Sequence, residues 1–287
     1  MRSLQTILTL ATLLCTGGSL PAQQPRAIAS DPAPTKQTTQ NVETVITSHG
    51  SNLTGLFLLA AGTEPHGTVI LLHGFPGYEQ NMDLAQAMRR DGWNVLAMHY
   101  RGSWGAEGSF SFTHCVEDAA TMLAYVLDAA NEAKFHIDPR RIFVIGHSMG
   151  GFVATVTMAE HKEIAGGVIL TEGSPLHDGP GFFGAEHDPL DYAPLSGTSP
   201  QALEQDAKQH TAFWTFAALA AKVAPRPVLV LTANDGLRAS NDELTAELKR
   251  AGSTVSNIHF DTDHAFSDHR IALESEVLRW LADHRGK

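Results

Sequence analysis

The chain has 287 residues, 43% hydrophobic and 18% charged, with 31 acidic against 20 basic side chains and a net charge of −11. That length suits one enzyme-sized domain with ample core. Arg89-Arg90 and Arg140-Arg141 are isolated pairs rather than a basic cluster, so nucleic acid and anionic membrane surfaces are poor partners for so acidic a chain.

At the start of the chain, Arg2 precedes an apolar segment over residues 4–15, followed by Thr16-Gly17-Gly18-Ser19-Leu20-Pro21-Ala22. This reads as a secretory signal peptide, residues 1–22, with cleavage near Ala22 and export to a bacterial periplasm or beyond. The apolar segment is too short to span a bilayer comfortably, and Thr12-Leu13-Leu14 lacks the small residue expected before a lipidated cysteine at Cys15. Beyond the signal, Cys115 is the sole cysteine, so no internal disulfide is expected. Residues 23–41, rich in Pro, Gln and Thr, read as a disordered lead-in.

From residue 42 to 287 the pattern is that of one folded domain. Residues 42–47 and 53–60 predict an antiparallel strand pair. Residues 68–73 predict a buried strand, 81–90 a helix, 95–100 a strand and 116–130 a long helix. Further strands are expected at 141–145, 167–171, 227–232 and 255–260, with a helix at 242–250 between the last two. A final amphipathic helix over 268–283 carries Ile271, Leu278, Trp280 and Leu281. The alternation predicts an α/β fold: a mostly parallel, eight-stranded sheet with helices on both faces. Between 174 and 224 the rhythm breaks, with Gly179-Pro180-Gly181-Phe182-Phe183-Gly184 and then an apolar helix at 212–222. An insertion of that length favours a partial cap over an active site rather than an ordinary connection.

Gly146-His147-Ser148-Met149-Gly150, arriving off the apolar run Ile142 to Ile145, has the form G-x-S-x-G. That is the pattern of a nucleophile elbow, where a strand turns sharply into a helix and lifts a serine clear of the backbone. A serine hydroxyl needs a base to take its proton, an acid to hold that base, and donors for the oxyanion. In an open parallel sheet each is sought at the C-terminal end of a strand. Asp235, in Ala233-Asn234-Asp235-Gly236 after the strand at 227–232, is the expected acid. Glu172, after the strand at 167–171, is the reserve. His264, in Asp261-Thr262-Asp263-His264 after the last strand, is the expected base, alone so placed among fifteen histidines. The alternative, a metal site from Asp261, Asp263, His264, Asp268 and His269, matches no ligand spacing, and the serine chemistry needs no cofactor. The oxyanion is assigned to the backbone N–H of Met149 and of Phe75, in His73-Gly74-Phe75-Pro76-Gly77, since Pro76 has no N–H to offer.

Taken in order, His-Gly, G-x-S-x-G, Asp and His resemble the α/β-hydrolase superfamily over about residues 42–284. His99-Tyr100-Arg101-Gly102-Ser103-Trp104-Gly105 is similar to the Arg-Gly loop of its dienelactone-hydrolase-like and prolyl-oligopeptidase-like branches, with His99 where the usual aspartate would stand. His-Gly-x-Pro-Gly also occurs in epoxide hydrolases and dehalogenases, but those use an aspartate nucleophile where this chain has Ser148. The resemblance implies an α/β-hydrolase fold and a serine hydrolase with the triad Ser148, Asp235 and His264. Its expected substrate is a small-molecule carboxylic ester, with a peptidase or aminopeptidase-like activity as the second reading. A binding protein that keeps the fold without catalysis is the reading from another class. Tyr78, Trp104, Phe182, Phe183 and Trp214 are the expected substrate-binding side chains.

Overall fold

The computed structural model describes residues 24–178 and 189–285. The proposed signal segment, Phe182 and Phe183 therefore lie outside the described residues. Strands β1 (Gln40–Ser48) and β2 (Ser51–Leu59) form a hairpin whose two-residue turn, His49-Gly50, has φ of 48° and 84°. Positive φ at both turn residues matches the twist of the flanking strands. β2 then pairs antiparallel with β4 (Asn94–Met98). From β4 onward every pairing is parallel, through β3 (His66–Leu72), β5 (Ile137–His147), β6 (Ile164–Leu170), β7 (Val228–Thr232) and β8 (Val255–His259). The eight strands lie in the order β1-β2-β4-β3-β5-β6-β7-β8, as the α/β reading requires.

Period-2 alternation divides the strand residues between two apolar layers. Ile70, Leu72, Leu96, Met98, Val144, Ile169 and Val230 face a core shared with α3 (Phe112–Val126), α5 (Met149–Glu160), α7 (Phe216–Val223) and α8 (Arg238–Ala251). Their neighbours Val69, Leu71, Val95, Phe143, Ile145, Val168, Leu170, Leu229 and Leu231 face the other side. There they meet α2 (Met82–Arg90) and α9 (Arg270–Asp283) through Leu84, Met88, Leu273, Val277 and Leu281. The continuous apolar runs of the central strands are the consequence of burial on both faces.

Three helices depart from the sequence expectation, each for a capping reason. The helix expected over 116–130 is two: α3 stops at Val126 and α4 (Ala129–Phe135) restarts after Asp128. The Asp128 carboxylate accepts from Ala130 N and Asn131 N at 3.0 and 3.1 Å. Within the insertion, α6 (Pro200–Lys208) has no counterpart among the expected helices; Ser199 caps it by accepting from Ala202 N at 3.2 Å, with proline in its first turn. The apolar helix expected from 212 starts at Phe216, after the Thr215 hydroxyl accepts from Ala218 N. Ahead of the sheet, α1 (Arg26–Ala29) is one helical turn with Ala27 buried, its carbonyl accepting from Arg90 Nε at 2.6 Å. No helix among the described residues is long and apolar enough to cross a membrane.

Candidate active site

β5 ends at His147 and α5 begins at Met149, so Ser148 is the single residue between strand and helix. Its φ of 55° and ψ of −125° lie outside the regions open to L-residues at low cost. The flanking glycines make the turn possible. A Cβ at 146 would sit 1.9 Å from Gly150 O, and one at 150 would sit 2.2 Å from Leu72 O. Ser148 N–H donates to Leu170 O at 2.9 Å, tying the elbow to β6. The serine is 7% exposed and opens on a cavity of about 350 Å³ whose wall includes Phe75, Tyr78, His147 and His264.

His264 follows β8, and its Nδ1 lies 2.7 Å from Asp235 Oδ2. The Thr171 hydroxyl donates to the same oxygen, and Leu237 N–H donates to Oδ1 at 3.0 Å. Burial acts to raise the Asp235 pKa, but the bonds from His264, Thr171 and Leu237 outweigh it and hold the carboxyl below the ordinary aspartate range. An ionised Asp235 can only accept, so Nδ1 of His264 carries the hydrogen and Nε2 is left as the basic nitrogen. No hydrogen bond joins Ser148 Oγ to His264 among the described residues. In unliganded hydrolases that contact is often long and tightens only with substrate bound.

Met149 N–H opens α5, where the first amides of a helix have no partner within it and carry its positive dipole end. Across from it, a Cβ at Gly74 would stand 2.9 Å from Ser148 Cβ and 3.4 Å from Oγ. Only glycine lets the loop after β3 come so near the serine. The Phe75 ring packs 5.8 Å from Phe110 and 5.4 Å from Tyr192 between ring centres. The Arg-Gly loop is pinned from behind. Arg101 N–H and Nε both donate to the buried Asp118 carboxylate on α3 at 2.7 Å, and the Ser48 hydroxyl donates to it at 2.6 Å. Burial lowers the pKa of His99, whose ring stands between those of His73 and Trp104.

Of the expected pocket residues, Tyr78 and Trp104 meet edge to face, 5.1 Å between centres, Tyr78 on the cavity wall and both partly exposed. Trp104 Nε1 donates to Pro76 O at 2.8 Å. Trp214 is placed elsewhere. It is buried, packs 4.8 Å from Phe152 of the elbow helix and stacks on His210 at 3.8 Å. Its indole fills core behind α5, because the apolar face of that helix must be covered. Glu172, the reserve acid, makes no bond to His264. It is buried, accepts from the Thr155 hydroxyl at 2.8 Å, and has its main chain clasped by the Asn241 amide. Burial drives its pKa up to about 8. The acidic side chains around His264 do not converge: Asp268 pairs with Thr262 and His269. No group of three or more His, Cys, Asp or Glu among the described residues is arranged to hold a metal. Sequence reasoning passed over two residues at this site, Thr171 and His147. His147 stood inside the motif as its unassigned position, and Thr171 ended an expected strand.

Residues 63–179 match the Serine aminopeptidase, S33 family. A Multifunctional-autoprocessing repeats-in-toxin of Vibrio vulnificus is 26% identical over 193 residues, which is 66% of this chain and 3% of the toxin. Monoglyceride lipase of Rattus norvegicus is 29% identical over 146 residues, 49% of this chain and 46% of the lipase. The chain thus aligns with less than half the length of either relative. Among solved structures, an esterase of Pyrobaculum calidifontis superposes with a TM-score of 0.67 at 18% identity, covering 91% of this chain and 89% of that one. Est1E of Butyrivibrio proteoclasticus, with ferulic acid bound, gives 0.68 at 16% identity, covering 85% and 100%. Acylaminoacyl peptidase of Pyrococcus horikoshii gives 0.64 at 16% identity, covering 86% of this chain and 42% of the peptidase. The sheet order, the strained elbow and these structural likenesses together show that the chain has the α/β-hydrolase fold.

Proposed function

We propose that the protein is a serine hydrolase that cleaves carboxylic esters through an acyl-enzyme. The observation that carries this reading is the 2.7 Å Asp235–His264 pair sharing one cavity with Ser148 at its strained turn. His264 Nε2 takes the Ser148 proton as Oγ attacks the ester carbonyl. The amides of Met149 and Phe75 receive the oxyanion, each such donor being worth about 3–4 kcal/mol in related sites. His264 then protonates the departing alcohol, and water repeats the sequence on the acyl-enzyme. Asp235 holds the ring in its productive tautomer and stabilises the imidazolium. Esterases among the structural likenesses and the lipase match support ester cleavage. The same machinery acting on amides is the second reading, supported by the aminopeptidase match over residues 63–179 and the peptidase likeness.

The test is hydrolysis of p-nitrophenyl esters from acetate to decanoate, beside aminoacyl p-nitroanilides, by the wild type and by Ser148→Ala. Ester turnover should fall by at least about a thousandfold in the variant. Turnover confined to the anilides would select the amide reading. A folded protein inert on both series, and unlabelled by a fluorophosphonate, would make it a binding protein.

A further inference from the structure

The elbow's second residue makes a contact that its motif does not specify. His147 is the last residue of β5, 3% exposed, with its ring centre 4.7 Å from that of His264. Its Nε2 lies 2.8 Å from the main-chain carbonyl oxygen of His264. A carbonyl only accepts, so Nε2 carries the hydrogen and donates. Nδ1 is then bare, with no partner among the described residues. Burial lowers the ring's pKa to about 3, so the donor is a neutral imidazole at any working pH.

The next carbonyl along, Ala265 O, accepts from Arg270 Nη1 at 2.8 Å. Arg270 is itself held by Asn81 and Asp83 at the start of α2. Two consecutive carbonyls of the base-bearing loop are therefore pinned from different parts of the fold. The His264 side chain needs this, being 41% exposed and, among the described residues, fixed by a single side-chain bond, to Asp235. A ring held at Nδ1 alone pivots there, and Nε2 at its far edge sweeps the widest arc. His147 removes that freedom by fixing the main chain from which the ring hangs. Because His147 is covalently next to Ser148, one peptide unit and one hydrogen bond set the spacing from nucleophile to base.

We propose that His147 is a positioning residue: its Nε2–H holds the His264 backbone so that the imidazole stays aligned on Ser148 Oγ. The proposal rests on the serine-hydrolase reading above. His147→Phe keeps a ring of similar size and removes the donor, whereas His147→Gln restores an N–H donor at similar reach. Misalignment near 1 Å costs on the order of a hundredfold in rate. His147→Phe should therefore lower kcat by about 10- to 100-fold with KM within about twofold, and slow fluorophosphonate labelling of Ser148 by a like factor. His147→Gln should recover most of that loss. A folded His147→Phe with wild-type kcat, or equal losses in both variants, would overturn the proposal. Should the variants not fold, ¹⁵N NMR of the wild type decides: the Nε2–H tautomer is expected, and an Nδ1–H tautomer at position 147 excludes the bond. An inactive wild type, or an active Ser148→Ala, sinks the hydrolase reading itself; normal turnover in His147→Phe beside an inert Ser148→Ala sinks only the positioning role.

Discussion

β6 and β7 run side by side, and each releases a buried carboxylate just past its last residue, yet the two acids live in opposite surroundings. Asp235, beyond β7, accepts from His264, Thr171 and Leu237 and stays ionised below the usual range. The Glu172 carboxyl, beyond β6, accepts from the Thr155 hydroxyl, leaves Oε1 with no partner among the described residues and feels the nearby Asp178 carboxylate. Burial dominates there and lifts its pKa from 4.5 to about 8. Burial differs between them as well: Glu172 is buried throughout, whereas Asp235 is only partly buried as a residue, although its side chain is 5% exposed. The loops also differ in the number of donors they supply to the carboxylate. On the proposed triad reading, an acid that steadies an imidazolium must be charged at neutral pH; three donors favour that form in Asp235, whereas burial favours the protonated form of Glu172.

The comparison breaks most readily at Asp235. Asp235→Asn keeps the shape of the side chain and loses the charge, and it should lower kcat by about a thousand- to ten-thousandfold, read on the best p-nitrophenyl ester. If Glu172→Gln caused a loss of that size, the two loops would have been assigned the wrong way round.

A smaller effect is expected at Thr171, which takes a positive φ of 43° while its hydroxyl donates to Asp235. Thr171→Val removes that bond and little else. The net value of one hydrogen bond is about 1 kcal/mol, so kcat should drop roughly 5- to 10-fold. Thr171→Ser, which keeps the hydroxyl, should stay near the wild type.

The smallest effect on rate, and the clearest on stability, belongs to Glu172→Gln. Esterase activity should change by less than about twofold. Because the folded-state pKa is raised, the native protein keeps a proton between pH 4.5 and about 8 that the unfolded chain releases. That contribution to stability is whole below pH 4.5 and is lost as pH rises through about 8. Thermal melts of the wild type and the Glu172→Gln variant should therefore differ little near the lower of those values. The gap should then widen in favour of the variant as pH rises toward the upper one. A gap that is constant with pH would mean that Glu172 is ionised in the fold.

The candidate site was legible in the chain to the extent that it rests on local rules. Glycines two before and two after Ser148 announce a turn that only glycine can flank, since a Cβ at 146 would meet Gly150 O at 1.9 Å. Asp235 and His264 stood out because each follows an apolar run at the end of a strand. The missed α6 also had a local signal, since Ser199-Pro200 is a helix start written in two residues. So did the break after α3, where Asp128 caps the next helix.

The amino-acid sequence by itself determined the α/β order, the elbow and the chain order of Ser148, Asp235 and His264. Strand alternation and glycine sterics act between near neighbours. The tertiary structure alone decided that Trp214 fills core, that burial raises the Glu172 pKa, and that Thr171 bonds to the Asp235 carboxylate and His147 to the His264 carbonyl. Those outcomes depend on partners far apart in the chain, 64 residues from Thr171 to Asp235 and 117 from His147 to His264. No local pattern encodes such a pair. It exists only once the parallel sheet has brought the ends of β5, β6, β7 and β8 to one edge, where each loop meets donors supplied by the others.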